Sequence, residues 1–370
     1  MDTEDHRIPV TLLTGFLGAG KTTLLNTMIR DPNAGRIAVI MNEFGDVGLD
    51  HDLIEAATEE TILLESGCLC CSIRGDLATT LSSLMERKKQ GALAFDRVVI
   101  ETTGIADPGP VLHTLVVSPL IAPDYRMDGV ITLADCATGP DTLDQHLEAV
   151  HQIAIADALI LTKTDLVSDD ALCTFEARVQ AINPDAPRIK AAHGRVPLTA
   201  LFGLSAMRSG AKHDDISKWL GQTVGSVSQD DPAAAHIHDS HDHDHHHDHH
   251  DGRITSASVQ VDTPIPANVF DFWLDMLIAL KGPDILRMKG IVHVEDMDKP
   301  FVFHGVQHIF DRPVPLETWE DGPAISRIVV IARNMTEAEL HESLKVLRMQ
   351  PKDTEETSHG MLSDTVEMPF

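Results

Sequence analysis

Short apolar runs rich in β-branched residues recur through the first half of the chain. They lie at 10–13, 37–41, 62–64, 98–100, 130–133 and 158–161. Most segments between them are long enough for a helix, and strands that alternate with helices form a mostly parallel sheet covered on both faces. We therefore predict an α/β domain. Ligands bind beyond the carboxyl ends of the strands in such sheets, so the loops after these runs are expected to carry the function.

A different pattern follows a break in composition. Apolar and polar residues alternate over 255–261, as in a half-buried strand, and apolar residues then repeat at helical spacing between 269 and 278. Thr336 and Glu339 form the capping box of a last helix. Further strands are predicted at 285–294, 300–309 and 325–332. These elements predict a second, smaller α+β domain.

The chain is thus divided into four parts. We expect a nucleotide-binding domain at 1–220, a flexible linker rich in His and Asp at 221–252, the smaller C-terminal α+β domain at 253–350 and a disordered tail at 351–370. A length of 370 residues fits two domains of ordinary size.

Charge and hydropathy exclude several classes of partner. The formal net charge of −28 argues against nucleic acid and anionic lipid, because both are bound through clustered Lys and Arg. No apolar run approaches the roughly 20 residues of a membrane span. The polar stretch 1–7 precedes a phosphate-binding motif without room for a secretory signal, so we expect a cytoplasmic protein that does not bind membranes.

The strongest motif is GFLGAGKT at 15–22, which matches G-x-x-x-x-G-K-[ST]. It follows a predicted strand and precedes a helical stretch at 23–29, the context of a P-loop. Backbone N–H groups of such a loop wrap phosphates, Lys21 reaches the outer phosphates, and the Thr22 hydroxyl can ligate Mg²⁺. The predicted phosphate-binding residues are Gly15, Gly18, Ala19, Gly20, Lys21, Thr22 and Thr23. The first domain is therefore predicted to be a P-loop NTPase.

Two further motifs stand at strand ends. Thr162, Lys163 and Asp165 occupy the place of the N-K-x-D motif of P-loop GTPases, where the carboxylate can accept two hydrogen bonds from guanine. Thr162 replaces the usual Asn, so an amide contact is lost or replaced by a hydroxyl. Glu101 and Gly104 follow another strand, and we predict that Glu101 holds Mg²⁺ through water while Gly104 lies near the γ-phosphate. Lys21, Thr22 and Glu101 are the predicted catalytic residues.

Two segments carry metal-binding side chains. Cys68, Cys70 and Cys71 are close enough in sequence to converge on one Zn²⁺ or Co²⁺ ion, and Glu43 is the candidate fourth ligand. Cys136 and Cys173 stand alone and are predicted to be structural. The tract 236–251 interleaves nine imidazoles with carboxylates and is expected to collect ions without geometric selectivity. Its histidines are His236, His238, His241, His243, His245, His246, His247, His249 and His250.

Taken jointly, these motifs resemble those of the CobW-type metal-handling GTPases, which share a P-loop group with the urease and hydrogenase nickel-insertion GTPases. The segments that carry the resemblance are GFLGAGKTTLLN, NEFGDVGLD, ESGCLCC, ETTGIADP, TKTDL, the His-rich linker, LRMKG and HGVQHIF. The resemblance implies a GTPase domain whose motif cysteines bind Zn²⁺, Co²⁺ or a related ion, and a C-terminal domain that meets client proteins.

Three functions remain open. The first is a GTP-driven metallochaperone or insertase that serves a client metalloprotein or a cofactor-synthesis enzyme, with GTP or GDP, Mg²⁺ and the cargo ion as ligands. A P-loop phosphotransferase is the second, but it leaves the cysteines and the His tract unexplained. A metal buffer is the third, and it needs no intact Lys21, Thr22, Glu101 and Asp165. The sequence leaves a homo-oligomer open.

Overall fold

The computed structural model describes residues 5–42, 62–66, 73–191, 194–206, 216, 219–220, 254–307, 309–310, 313–316 and 325–349. Several predictions fall outside these residues. They concern Glu43, the three clustered cysteines, the histidines of 236–251, the linker and the tail.

The first domain is built on a parallel sheet. Its described strands are β1 (Ile8–Gly15), β2 (Ile37–Asn42), β3 (Ile62–Ser66), β4 (Arg97–Glu101), β5 (Tyr125–Asp135), β6 (Ala158–Thr162) and β7 (Arg188–Lys190). Within the described residues these seven strands pair in the order β3-β2-β4-β1-β5-β6-β7, and every pairing is parallel. The predicted parallel α/β sheet is confirmed, and six of its strands coincide with the apolar runs.

Helices cover both faces of this sheet. They are α1 (Lys21–Arg30), α2 (Ile73–Lys89), α3 (Gly109–Val117), α4 (Gly139–Gln145), α5 (Leu147–Ala154) and α6 (Asp169–Ile182). The central strands are buried on both sides, as their unbroken apolar runs require: Val10 and Leu12 pack in one core cluster, and Leu13 packs in another. The parallel order leaves the carboxyl ends of β1, β4, β5 and β6 at one edge of the sheet.

In the part of the chain that the structure describes, the second domain is an antiparallel sheet with two α-helices. Its strands are β8 (Ile254–Val261), β9 (Ile285–Val292), β10 (Phe301–Val306), β11 (Ile309–Phe310), β12 (Val314–Pro315) and β13 (Ser326–Arg333). In the described residues they pair in the order β11-β10-β9-β13-β8, with β12 on β10. Helices α7 (Ala267–Lys281) and α8 (Glu337–Lys345) pack on one face, and α8 opens with the predicted capping box.

The prediction of one strand over 300–309 is wrong. The strand β10 ends at Val306, and Gln307, with φ of 57°, turns the chain back into β11. Val306 and Ile309 pair across this turn. Apolar residues flank the turn on both sides, so the hydrophobic pattern alone did not show it.

The other face of the second sheet packs on the first domain. All of β9 is buried because successive side chains point to opposite sides: Met288 and Val292 pack in the core of the second domain, whereas Arg287 and Lys289 meet Asp157 of the first. Ile254, Leu286 and Ile331 share a hydrophobic cluster with α5 and α6. The domains are therefore joined by a common core.

None of the helices in the described part of the chain has the length and apolar content needed to cross a membrane.

Candidate nucleotide site

The P-loop has a backbone that requires glycine at its start and end. Gly15 has φ of 142°, and a Cβ there would lie 2.6 Å from the carbonyl oxygen of Leu133 on β5. Gly20 has φ of 97° and is the N-cap of α1. Only glycine adopts such angles at low cost. The chain therefore turns sharply out of β1 and directs the N-terminus of α1 toward the loop, which is the arrangement that binds phosphate.

Lys21 is held in the middle of this loop. Its side chain is buried, and Nζ donates to the carbonyl oxygens of Gly15 at 2.9 Å and Phe16 at 3.2 Å. The ammonium group is thus placed over the loop rather than in solvent. An anion in the loop would meet both the backbone N–H groups and this charge.

Thr22 and Glu101 face each other across the sheet edge. The Thr22 hydroxyl donates to Oε1 of Glu101 at 3.3 Å. Glu101 is the last residue of β4, is 6% exposed and lies in register with Leu13 of β1. A hydroxyl and a carboxylate at this separation are oxygen ligands of the kind that Mg²⁺ takes, directly or through water.

The segment 102–108, here called the β4–α3 loop, lies against the P-loop. The Thr102 N–H donates to Leu13 O at 3.0 Å, and its hydroxyl donates to the Thr14 hydroxyl at 2.8 Å. A Cβ on Gly104 would lie 2.5 Å from the backbone nitrogen of Leu17. Glycine at 104 therefore allows the two loops to touch.

Thr162 joins the predicted guanine-binding motif (Thr162, Lys163 and Asp165) to the P-loop. Its hydroxyl is buried and donates to Ala19 O at 2.9 Å. Lys163 has φ of 56°, and its Nζ donates to Oδ2 of Asp135 at 2.6 Å. Burial alone would raise the pKa of the Asp135 carboxyl, but the hydrogen bonds from Lys163, the Ala137 N–H and Thr138 outweigh it and lower that pKa. Asp135 is therefore an anion that holds the lysine stem in place.

An open cavity of about 190 Å³ lies between the P-loop and this motif. The lining residues are Ala19, Gly20, Thr23, Leu24, Ile160, Thr162, Lys163, Asp165, Ala191 and Gly194. The structure thus brings Thr162, Lys163 and Asp165 together with the P-loop in one site.

Ala191 and Gly194 were not predicted from the sequence. They follow β7, which has only three residues and no apolar run, so the pattern gave no strand there. Their position after the strand that pairs with β6 was the available signal, but it required the strand order.

The strands that lead to the predicted metal ligands end at the same edge. Met41 of β2 pairs with Glu101, and Asn42 pairs with Ser66 of β3. Glu43 is the next residue after β2, and Cys68 comes two residues after β3. Among the residues that the structure describes, no group of three or more His, Cys, Asp or Glu is arranged to hold a metal ion.

The two isolated cysteines differ. Cys136 is buried, and burial raises the pKa of its thiol to about 11, as expected for a core residue. Cys173 is exposed on α6, so burial does not support the structural role predicted for it.

Comparison with known families and structures agrees with both domains. Residues 9–190 match the model described as CobW/HypB/UreG, nucleotide-binding domain, and residues 254–348 match the cobalamin synthesis protein cobW C-terminal domain. The chain is 32% identical over 345 residues to the zinc chaperone YjiA of Escherichia coli, covering 92% of this chain and 99% of the relative. It is 33% identical over 322 residues to zinc-regulated GTPase metalloprotein activator 1 of Schizosaccharomyces pombe, covering 82% and 76%.

The crystal structure of Zn(II)-bound YjiA GTPase from E. coli superposes with a TM-score of 0.68 at 28% identity, covering 93% of this chain and 99% of that one. The matches to YjiA extend over both domains of this chain. The chain therefore belongs to the CobW/HypB/UreG family of nucleotide-binding proteins and carries the cobW C-terminal domain.

Proposed function

We propose that this protein is a GTPase that carries zinc and delivers it to a client metalloprotein, with GTP hydrolysis as the release step. The observation that carries the proposal is the register of the sheet. Because Met41 pairs with Glu101, the strand leading to Glu43 ends beside the strand of the Mg²⁺ carboxylate, and because Asn42 pairs with Ser66, the strand leading to the cysteine motif is the next one along the same sheet.

The described residues fit a guanine nucleotide. The turn at Gly15 and the N-terminus of α1 would cradle phosphate, Lys21 would neutralise its charge, and Gly104, which lies against Leu17 of the P-loop, would border the γ-phosphate. Thr22 and Glu101 would hold Mg²⁺, which neutralises charge on the phosphate oxygens when bound. Asp165 accepts from the guanine N1–H and 2-amino group, a pair of donors that adenine lacks.

The cargo site is assigned to Cys68, Cys70, Cys71 and Glu43. Three thiolates and a carboxylate suit Zn²⁺, and two relatives of this chain are named as a zinc chaperone and a zinc-regulated GTPase. Co²⁺ is accepted by the same donors and is the alternative cargo. The histidines of 236–251 supply ions to this site, and reduced thiols suit a cytoplasmic protein.

The test is the linkage between metal and nucleotide. Zn²⁺ affinity is measured by competition with a chelating dye, in a variant lacking 236–251, with GDP or with a non-hydrolysable GTP analogue. We expect tighter binding in the GTP state by about 5- to 150-fold, the usual range of coupling between two sites. Cys70→Ser with Cys71→Ser should abolish the difference, and the exposed Cys173→Ser is the matched control.

Equal Zn²⁺ affinity in the two nucleotide states would contradict the release mechanism. Zn²⁺ binding by a chain that consumes no GTP would instead favour a metal buffer.

A further inference from the structure

A buried glutamine on α5 belongs to none of the motifs. Gln152 is 1% exposed, and its backbone oxygen accepts from the Thr132 hydroxyl of β5 at 2.7 Å. This bond and the packing of Ile153 and Ala154 hold α5 on the sheet. The backbone from which the Gln152 side chain extends is therefore held in a fixed position.

The amide reaches the β4–α3 loop. Its Nε2 donates to Gly104 O at 3.1 Å and to Ala106 O at 3.2 Å. Because both partners are acceptors, they fix the orientation of the amide. One group that binds two carbonyls on either side of Ile105 sets the curvature of the loop. The P-loop touches Gly104 from another direction, through Leu17.

The amide oxygen of Gln152 has no hydrogen-bond partner in the described part of the chain. This Oε1 atom is buried. An unmatched buried acceptor costs stability. The Nε2 bonds satisfy two loop carbonyls, whereas Oε1 is left without a partner among the described residues, so this half of the amide points to a role beyond packing.

A residue of the second domain forms hydrogen bonds at the C-terminal end of the same helix. The guanidinium of Arg287, on β9, donates to Ile155 O and Ala156 O, directly after α5, and pairs with Asp157. Asn183 of the first domain binds carbonyls at the same end, including Ala156 O at 3.0 Å. The end of α5 is thus held from both domains.

We propose that Gln152 is a positioning residue for GTP hydrolysis, which sets the β4–α3 loop against the P-loop, and that Arg287 of the C-terminal domain supports it by holding α5. This inference rests on the proposed GTPase function. Gly104 and Glu101 belong to the γ-phosphate side of the site, so a shift of this loop affects GTP and leaves GDP largely untouched. A displacement of about 1 Å can reduce a reaction rate about 100-fold.

The first test replaces Gln152 by Leu, which keeps the bulk and removes both hydrogen bonds. We expect kcat for GTP to fall roughly 10- to 100-fold, and affinity for a non-hydrolysable GTP analogue to fall, while the GDP Kd stays within about twofold. Val150→Ala is the matched control, since Val150 is buried on the same helix and has no polar contact with the loop. It should leave kcat and the ratio of GTP to GDP affinity near wild type.

The second test addresses Arg287. In the full chain, Arg287→Met should lower kcat by about 3- to 10-fold, and adding it to Gln152→Leu should produce no further loss, because both act through the same loop. Lys289→Met is the matched control: Lys289 meets the same carboxylate, Asp157, and donates to Trp219 O instead of the carbonyls after α5. It should retain kcat.

The outcomes separate the two proposals. A wild-type chain that fails to bind guanine nucleotide contradicts the proposed function. A wild type that turns over GTP while Gln152→Leu stays within twofold of it overturns the role of Gln152, and an equal loss in Val150→Ala does the same. If the wild type binds GTP without turnover, the GTPase proposal fails. The role of Gln152 is then judged from the ratio of GTP-analogue affinity to GDP affinity, and a ratio in Gln152→Leu equal to that of wild type overturns it. Additive losses in the double variant overturn the role of Arg287.

Discussion

At the scale of single residues, Thr162 shows how one substitution in a motif is accommodated. A shorter side chain replaces the usual Asn, yet its hydroxyl still reaches Ala19 O at 2.9 Å. The P-loop and the guanine-binding motif therefore remain joined by a buried hydrogen bond. The sequence predicts that an amide contact is lost or replaced by a hydroxyl, and the Thr162 hydroxyl makes a contact with the P-loop.

Thr162→Val tests this bond, because it keeps the shape and removes the hydroxyl. We expect the free energy of unfolding to fall by about 1–3 kcal/mol, since the Ala19 carbonyl would stay buried without this donor. GDP affinity should fall as well. Urea unfolding and titration with a fluorescent GDP analogue measure the two effects.

Thr162→Ser is the control and should lose only about 0.8 kcal/mol on the first measure, the value of one buried methyl group, because it keeps the hydroxyl. A Val variant as stable as wild type would show that the hydroxyl contributes nothing.

At the scale of elements, the junction of β1 with the P-loop distinguishes two glycines. Gly15 pairs with Leu133 of β5, and a Cβ there would meet that backbone at 2.6 Å. Gly18 has φ of 76°, but a Cβ there would meet nothing within 4 Å. One position is restricted by both angle and space, the other by angle alone.

Gly15→Ala should therefore destabilise the chain by roughly 2–5 kcal/mol, from the backbone angle and overpacking against Leu133. Gly18→Ala should cost about 1–2 kcal/mol, from the angle alone. Chemical denaturation without nucleotide gives both values. Equal losses would mean that the contact with β5 is easily relaxed.

At the scale of the whole molecule, the two domains meet at buried charges. Arg287 and Lys289 share the carboxylate of Asp157, and all three side chains are at most 5% exposed. Burial, and then the charge of Arg287, lower the pKa of Lys289 to about 8. Burial alone would raise the pKa of Asp157, but the two cations lower it. Asp157 and Asp185 favour the charge of Lys289, but burial and Arg287 outweigh them, so the lysine is the group that can lose its charge.

This arrangement predicts a rise in stability at alkaline pH. The pKa of Lys289 is about 8 in the folded chain and 10.5 in its ordinary state. As pH rises, the folded state releases the Lys289 proton before the unfolded state does. The resulting contribution to the free energy of unfolding is fully present above the ordinary pKa and is lost as pH falls through about 8. The unfolding free energy of wild type relative to Lys289→Met should increase between these values, by up to roughly 3 kcal/mol.

Unfolding at a series of pH values from 7.5 to 10.5 measures this difference. The Met variant cancels the titration of all other groups. A difference that does not change with pH would place the pKa of Lys289 near its ordinary value.

Much of the architecture and the motif positions was determined by the sequence itself. Apolar runs and glycine spacing within a few neighbouring residues locate six strands, the P-loop, Glu101 and the guanine-binding motif. They do so because local sterics act over that range. Their convergence at one edge follows from parallel pairing. The assignment of the cysteines and the His tract to metal remains a prediction.

Only the tertiary structure decided the contacts between distant segments. Gln152 binds a carbonyl 48 residues away, and Arg287 binds one 132 residues away. The turn at Gln307 and the pocket wall after β7 likewise depend on strand order. A single side chain leaves no periodic signal in the sequence, and its hydrogen-bond partners are set by packing. The motifs could therefore be located from the sequence, whereas the coupling between the domains required the fold.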